Sequence, residues 1–336
     1  MSLVRAESRR LFRRRLTSVL LAGVVLVLAA FAAGTFVSNQ KATPAQVAAA
    51  KQQAARQYQQ AAADAEVEKL RCLAAVPGSA EASNFPSNCA DIYTPRPSEF
   101  EYAWYLPETF DLRDEFPDMI ALFALLMAAA AYLIGATFVG AEWHSGAMMN
   151  LLLWRPQRLV VLGTKLGVFL GWLAGVTVLL GAAWAGAFRL IAEFRGDTGG
   201  MTSGVWQSFG LMGLRGVGLV LAAGAIGFAL ASLGRHTGMA LGALIGLTAV
   251  QIGVYVLAGF SGFKFPEAYL VPLWGYVWMY QREVLENWSC DSVAASGDCA
   301  AETFTMTWQM AGVGSAVVLA VVVGAAMWAM RVRDVN

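Results

Sequence analysis

Six stretches of about twenty or more mostly apolar residues, each free of Asp, Glu, Lys and Arg, constrain this chain more than any other feature. They cover residues 16–37, 119–140, 166–188, 216–234, 237–263 and 303–330. A bilayer core is crossed by about 20 apolar residues in a helix, because only a helix or a closed barrel satisfies its own backbone there. The expected fold is an all-α polytopic membrane protein with six transmembrane helices. Composition agrees: 57% of the 336 residues are hydrophobic and 14% charged, where a soluble domain carries roughly a quarter charged. The net charge of +1 is spread in small groups, so no nucleic-acid partner is expected. The first apolar run exceeds the roughly 7–15 residues of a signal peptide and reads as a retained span.

Basic residues near span ends set the orientation. Arg5, Arg9, Arg10, Arg13, Arg14 and Arg15 precede the first span and predict a cytoplasmic N-terminus. Arg155, Arg158, Lys165, Arg235, His236, Arg331 and Arg333 then fall inside as well, while Arg189 and Arg195 fall outside and count against the rule. The resulting order is a basic amphipathic segment (1–15), the first span (16–37), an extracytoplasmic segment (38–118), the second span (119–140) and a cytoplasmic helix (141–158). The third span (159–188), an outer loop (189–204), the fourth span (205–234), an inner turn (235–238) and the fifth span (239–263) follow. A second outer segment (264–302), the last span (303–330) and a cytoplasmic tail (331–336) complete it.

In the basic segment, Leu3, Val4, Leu11, Phe12 and Leu16 are expected to face lipid and the arginines headgroups. Residues 44–70 are rich in Ala, Gln, Lys and Glu and predict an exposed helix; with the loop that follows, they make a small extracytoplasmic cap. The sequence EAYLVPLWGYVWMY is apolar but too short to cross, and fits an interfacial or re-entrant helix or an aromatic-rich loop. All four cysteines, Cys72, Cys89, Cys290 and Cys299, lie in the outer segments, where disulfides persist. Three pairings are open; local closure, Cys72 with Cys89 and Cys290 with Cys299, is expected. A zinc site lacks the usual CxxC pair, and no metal is expected.

Glycines at four-residue spacing, Gly163, Gly167, Gly171 and Gly175, then Gly238, Gly242 and Gly246, predict close helix packing. Polar groups at membrane depth are few. Arg215 either snorkels to the interface or lines a substrate path, and Gln251, with Thr248, either bonds a neighbouring helix or touches cargo.

The chain carries no nucleotide-binding GxxxxGK[ST], no HExxH, no GxSxG and no carboxylate within a span. No catalytic residue is expected, and neither ATP hydrolysis nor proton coupling has its machinery here. That gives weight to the short helix expected from Glu142 to Trp154. It is too short to cross, and its middle, including Met149 and Leu152, is apolar on nearly every side and needs burial on more than one face. Glu142 suits its first turn, Arg155 and Arg158 its last, and Pro156 ends it.

Glu142, Trp143, Ser145, Gly146, the apolar run to Leu153, then Pro156, Arg158 and Lys165 resemble the signature of permeases of type-two ABC exporters, at the corresponding place between the second and third spans. Ala147 departs from it, where a Thr is frequent. The resemblance implies that 141–158 is a coupling helix docking on a separate ATP-binding subunit through Glu142, Trp143, His144, Gly146, Met149, Leu152, Arg155, Pro156 and Arg158. It also implies a second permease chain, identical or homologous. ATP and magnesium would belong to the partner, with no cofactor on this chain. The expected function is export of an amphiphilic lipid, peptide or drug across a bacterial cell membrane. An excess of Arg over Lys and abundant Ala fit a GC-rich bacterial genome, and the resemblance implies an actinobacterial source. The competing reading is a membrane anchor or sensor whose outer segment binds a ligand and whose cytoplasmic helix signals; a membrane-embedded enzyme lacks a convergent site.

Overall fold

The computed structural model describes residues 3–76, 84–86, 88–154, 157–287 and 302–332. Six helices among them are long and apolar enough to cross a membrane. They are α2 (Arg15–Ser38), α4 (Leu112–His144), α6 (Arg158–Arg195), α7 (Ser203–Gly234), α8 (Thr237–Ser261) and α10 (Trp308–Val332). The amphipathic α1 (Leu3–Arg13) precedes them, and α3 (Pro44–Ala74), α5 (Ala147–Trp154) and α9 (Val271–Tyr280) lie between them. Several helices outrun their charge-free cores: α4 begins at Leu112 and takes in Arg113, Asp114 and Glu115. Charged residues end the hydrocarbon-compatible part of a helix without ending its hydrogen bonding.

The chain forms two compact units. One comprises Ala32–Leu112 and Arg189–Gly199. Within it, Thr43 caps α3 in a capping box with Gln46, and Pro44 takes the first turn, where its missing N–H costs nothing. The Cys72–Cys89 disulfide ties the end of α3 to the following loop, as expected. Tyr58 meets Phe100 edge to face, and β1 (Phe110–Asp111) pairs in parallel with β2 (Gly196–Asp197). The expected pair Cys290 and Cys299 lies outside the described residues.

The other unit comprises Met1–Phe31, Arg113–Phe188 and Gly200–Asn336, and holds most of the membrane bundle. Here α4 and α7 touch backbone to backbone: a Cβ on Gly227 would strike the carbonyl of Tyr132, and one on Gly135 the carbonyl of Gly224. Small residues permit that approach, and packing drives association in lipid. The glycine rows at 163–175 and at 242 and 246 do not serve this purpose within the chain, since nothing lies within 4 Å of a Cβ built on any of them. Spacing marks a smooth face but does not say which face is covered. Thr248 likewise turns its hydroxyl to Leu244 of its own helix, at 2.9 Å, rather than to a neighbour.

The aromatic segment before the last span is the helix α9, preceded by a short 3-10 turn. Trp274 and Trp278 of α9 lie where side chains on Gly314 and Gly312 of α10 would be, so these glycines make room for the indoles. Tyr280 at its end donates to Asp118, and burial, then that carboxylate, push its hydroxyl pKa up. The sequence reading missed an antiparallel pair, β3 (Arg282–Asn287) with β4 (Glu302–Thr307). Its signal was present in the alternation of ETFTMT, whose β-branched residues suit a strand.

Candidate functional site

The face of the bundle that carries α1, α5 and the α7–α8 turn holds a buried cluster of charge. On α1, Glu7 and Leu11 lie one turn apart and are 1% and 0% exposed, so this helix presses one face into the protein. Leu11 therefore does not face lipid as expected, whereas Val4 and Leu16 are exposed. An acid on a buried face requires a cation, and Lys165 of α6, itself 0% exposed, supplies it. Its Nζ lies 2.6 Å from Glu7 Oε2 and 2.7 Å from Glu142 Oε2. Arg14, at the junction of α1 and α2, donates to Glu142 Oε1 at 3.0 Å and to the Thr137 carbonyl at 2.9 Å. Arg10 stands at the rim, 3.5 Å from Glu7.

Glu7, Lys165, Glu142 and Arg14 thus alternate in sign, so the core of the cluster is neutral. Alternation at hydrogen-bonding distance offsets the desolvation that isolated charges suffer in a low-dielectric interior. The Phe138 ring lies beneath both cations, with Arg14 Cζ at 5.1 Å and Lys165 Nζ at 5.5 Å from its centroid. Phe138 in turn packs with Phe169 of α6 and Phe228 of α7, at 6.0 and 6.4 Å between centroids. A displacement of α1 or of the end of α4 therefore bears on the helix core through rigid, closely packed groups.

These positions correct the expected helix from Glu142 to Trp154. Glu142, Trp143 and His144 continue α4, and Gly146, at φ +71°, makes the break before α5. That left-handed backbone suits glycine. Glu142 is 4% exposed and turns its carboxylate toward its own bundle. Trp143 is covered by Arg235 of the α7–α8 turn, 5.1 Å from its ring, while His144 is exposed. In α5, Met148 and Leu152 are 0% and 8% exposed. Leu152 is thus buried against its own chain, contrary to expectation, and Met149 is half-buried. The free apolar face of α5 belongs to Leu153 and Trp154, 78% and 88% exposed. Arg155 and Pro156 lie outside the described residues, and Arg158 opens α6 half-buried.

Two open clefts flank this segment. One, of about 590 Å³, is lined by Arg9, Arg10, Arg14, Glu142, Ser145 and Ala147. The other, of about 290 Å³, lies between the start of α6, including Arg158, and Arg331 of α10. Among the described residues no cluster of His, Cys, Asp or Glu could hold a metal ion. Arg215 and Gln251, candidates for a substrate path, sit on the contacting helices α7 and α8. Arg215 is half-buried on α7, over the Trp308 ring at 5.6 Å, and Gln251 is half-buried on α8 among exposed apolar residues.

Sequence reasoning found Glu142 and Lys165 but missed Glu7. Its signal was its isolation as the lone acid in ESRRLFRRR. Ser145 and Glu142 line the first cleft, but the Glu142 carboxylate is engaged by Arg14 and Lys165; what the arrangement can do is hold several helix ends together.

A family model described as ABC-2 family transporter protein matches residues 1–331. No curated protein matches the chain. With six membrane-spanning helices, a short apolar helix between the second and third, and a match over nearly its full length, the chain belongs to the ABC-2 transporter family.

Proposed function

We propose that this chain is the permease subunit of an exporter driven by ATP hydrolysis on a separate subunit, and that α5 with its flanks is where the motor's force enters. The observation that carries the reading is the contrast within α5. One side, Met148 and Leu152, is sealed onto the chain, while Leu153 and Trp154 are exposed at the same end of the bundle. Exposed large apolar groups gathered at one place favour a protein partner, and the neighbouring charge cluster links that place to α1, α4 and α6. In this reading the face bearing α1 and α5 is cytoplasmic, as the arginine-rich start favours. Two permeases, identical or homologous, form the pathway with two motor subunits that bind ATP and magnesium. The cargo is amphiphilic, in keeping with spans that carry few charges at membrane depth.

The test is co-expression with a candidate ABC-type ATP-binding protein, sought first in the neighbouring reading frames, followed by co-purification and measurement of ATP turnover. Trp154→Glu is expected to weaken capture of the ATPase and reduce turnover in the complex. Capture and turnover equal to wild type would overturn the assignment of α5. Orientation is checked with an impermeant thiol reagent after reduction: Cys72 and Cys89 should react in intact cells.

A further inference from the structure

We infer that the cavity between α4, α6 and α7 is a binding site for an alkyl chain of a membrane lipid. The cavity measures about 390 Å³ and lies toward the end of the bundle where α4 begins; its lining is drawn from mostly apolar positions between 116 and 124 of α4, 177 and 185 of α6, and 206 and 217 of α7, with neither Asp118 nor Arg215 among them. An apolar cavity of roughly 150 Å³ already admits a benzene ring, so this one has room for a length of hydrocarbon.

Three features of its wall identify the occupant. The lining carries no charged side chain. Its Thr177 hydroxyl is spent on the Leu173 carbonyl at 2.8 Å, and its Trp184 indole N–H on the Met119 carbonyl at 2.9 Å. Bound water needs two to four polar partners, and a headgroup needs donors or charges; with the Trp206 indole N–H as the one further polar side-chain group of the lining, the wall suits hydrocarbon. Next, the cavity opens sideways. Val178 and Leu214 line it and are also 55% and 66% exposed, which sets the mouth on the flank of the bundle. Helices that cross a membrane present such a flank to acyl chains, and a chain can enter there without passing through water. Last, the space is kept open by glycine. Gly210 and Gly213 line it, and side chains there would meet nothing within 4 Å, so bulk added at either would narrow the space or its mouth. The rings of Phe123, Trp184 and Phe209 stand around it, rigid walls that cannot collapse to fill it.

This inference rests on the membrane-spanning helices and not on the motor reading, so either can fail without the other. The full chain is reconstituted in phosphatidylcholine vesicles containing a minor fraction of phosphatidylcholine with a diazirine midway along one acyl chain, photolysed, and mapped by mass spectrometry. Ile245 and Leu257, on the exposed face of α8, report bulk lipid and should label in proportion to the probe. Labelling of Phe123 and Phe209, buried in the cavity wall, should instead saturate as the probe fraction rises, and Gly213→Leu should abolish it while leaving α8 labelling intact. Should Gly213→Leu not yield folded protein, Gly210→Val serves in its place, and saturation in the wild type stands as a readout that needs no variant. Labelling of the cavity wall that rises in proportion with α8, or no labelling because the cavity is empty or a second copy covers its mouth, overturns the proposal.

Discussion

Glu142 turns its carboxylate inward onto Lys165, 2.7 Å away, and both side chains are at least 95% buried. The two residues sit on successive long helices, α4 and α6, with α5 suspended between them. The ion pair therefore closes the base of the segment that carries the exposed Leu153 and Trp154. Glu7 completes the arrangement from α1 at 2.6 Å, so one lysine holds three helices.

Removing Lys165 should be costly and should depend on what remains. Lys165→Met leaves two buried carboxylates with Arg14 as their main counter-charge, and loss of one partner from a buried pair costs about 3–5 kcal/mol. Pairing it with Glu7→Gln removes one of the stranded charges, so the double variant should unfold at a higher temperature than Lys165→Met alone. Thermal unfolding of the purified chain in detergent reads both. An unchanged melting temperature for Lys165→Met would mean that the cluster is hydrated and contributes little.

Two kinds of glycine should respond in opposite ways. At Gly227 a Cβ would run into the Tyr132 backbone, and backbone cannot step aside, so Gly227→Ala should force α4 and α7 apart at a cost of about 1–3 kcal/mol. At Gly171 nothing lies within 4 Å, and alanine removes glycine's conformational freedom in the unfolded chain, a gain of about 0.5–1 kcal/mol. The same unfolding assay on each variant decides it; equal shifts would show that the α4–α7 crossing is not close-packed.

The spans were legible because hydrocarbon leaves a chain few solutions, and runs such as 237–263 carry no charge to confuse them. Their ends were less legible, since nothing in Glu142-Trp143-His144 marks whether one helix ends or another begins. The break depends on Gly146 adopting a positive φ, which a glycine permits but does not require. The inward orientation of Glu142 was illegible for another reason. Its partners Lys165 and Glu7 are 158 residues apart in sequence, and no local pattern relates an acid in the first helix to a lysine in the third span. A cavity is harder still, because it is defined by side chains that fail to meet. Gly210 and Gly213 read equally well as packing residues.

The Cys72–Cys89 bridge closes a loop of 17 residues at the end of α3. In the chain-entropy account a loop of about 15 residues is worth about 3 kcal/mol. Replacing both cysteines by serine should therefore loosen the last turns of α3 and residues 88–91, seen as faster amide exchange there, while exchange in α4 and α7 stays as it was. Uniform change throughout the chain, or none near Ala74, would contradict a local role.

The two sides of α5 should separate stability from partner binding. Met148 is fully enclosed, so Met148→Asp buries an unpaired carboxylate and should destabilise the isolated chain severely, by several kcal/mol. Trp154 is 88% exposed, and surface substitutions away from special features stay within about 0.5 kcal/mol, so Trp154→Asp should leave the melting temperature of the isolated chain unchanged. A docking role for this residue appears only in the complex, as weaker retention of the ATP-binding subunit. If Trp154→Asp lowers the stability of the isolated chain as much as Met148→Asp does, the indole packs against its own bundle. The free face of α5 would then have to be sought elsewhere.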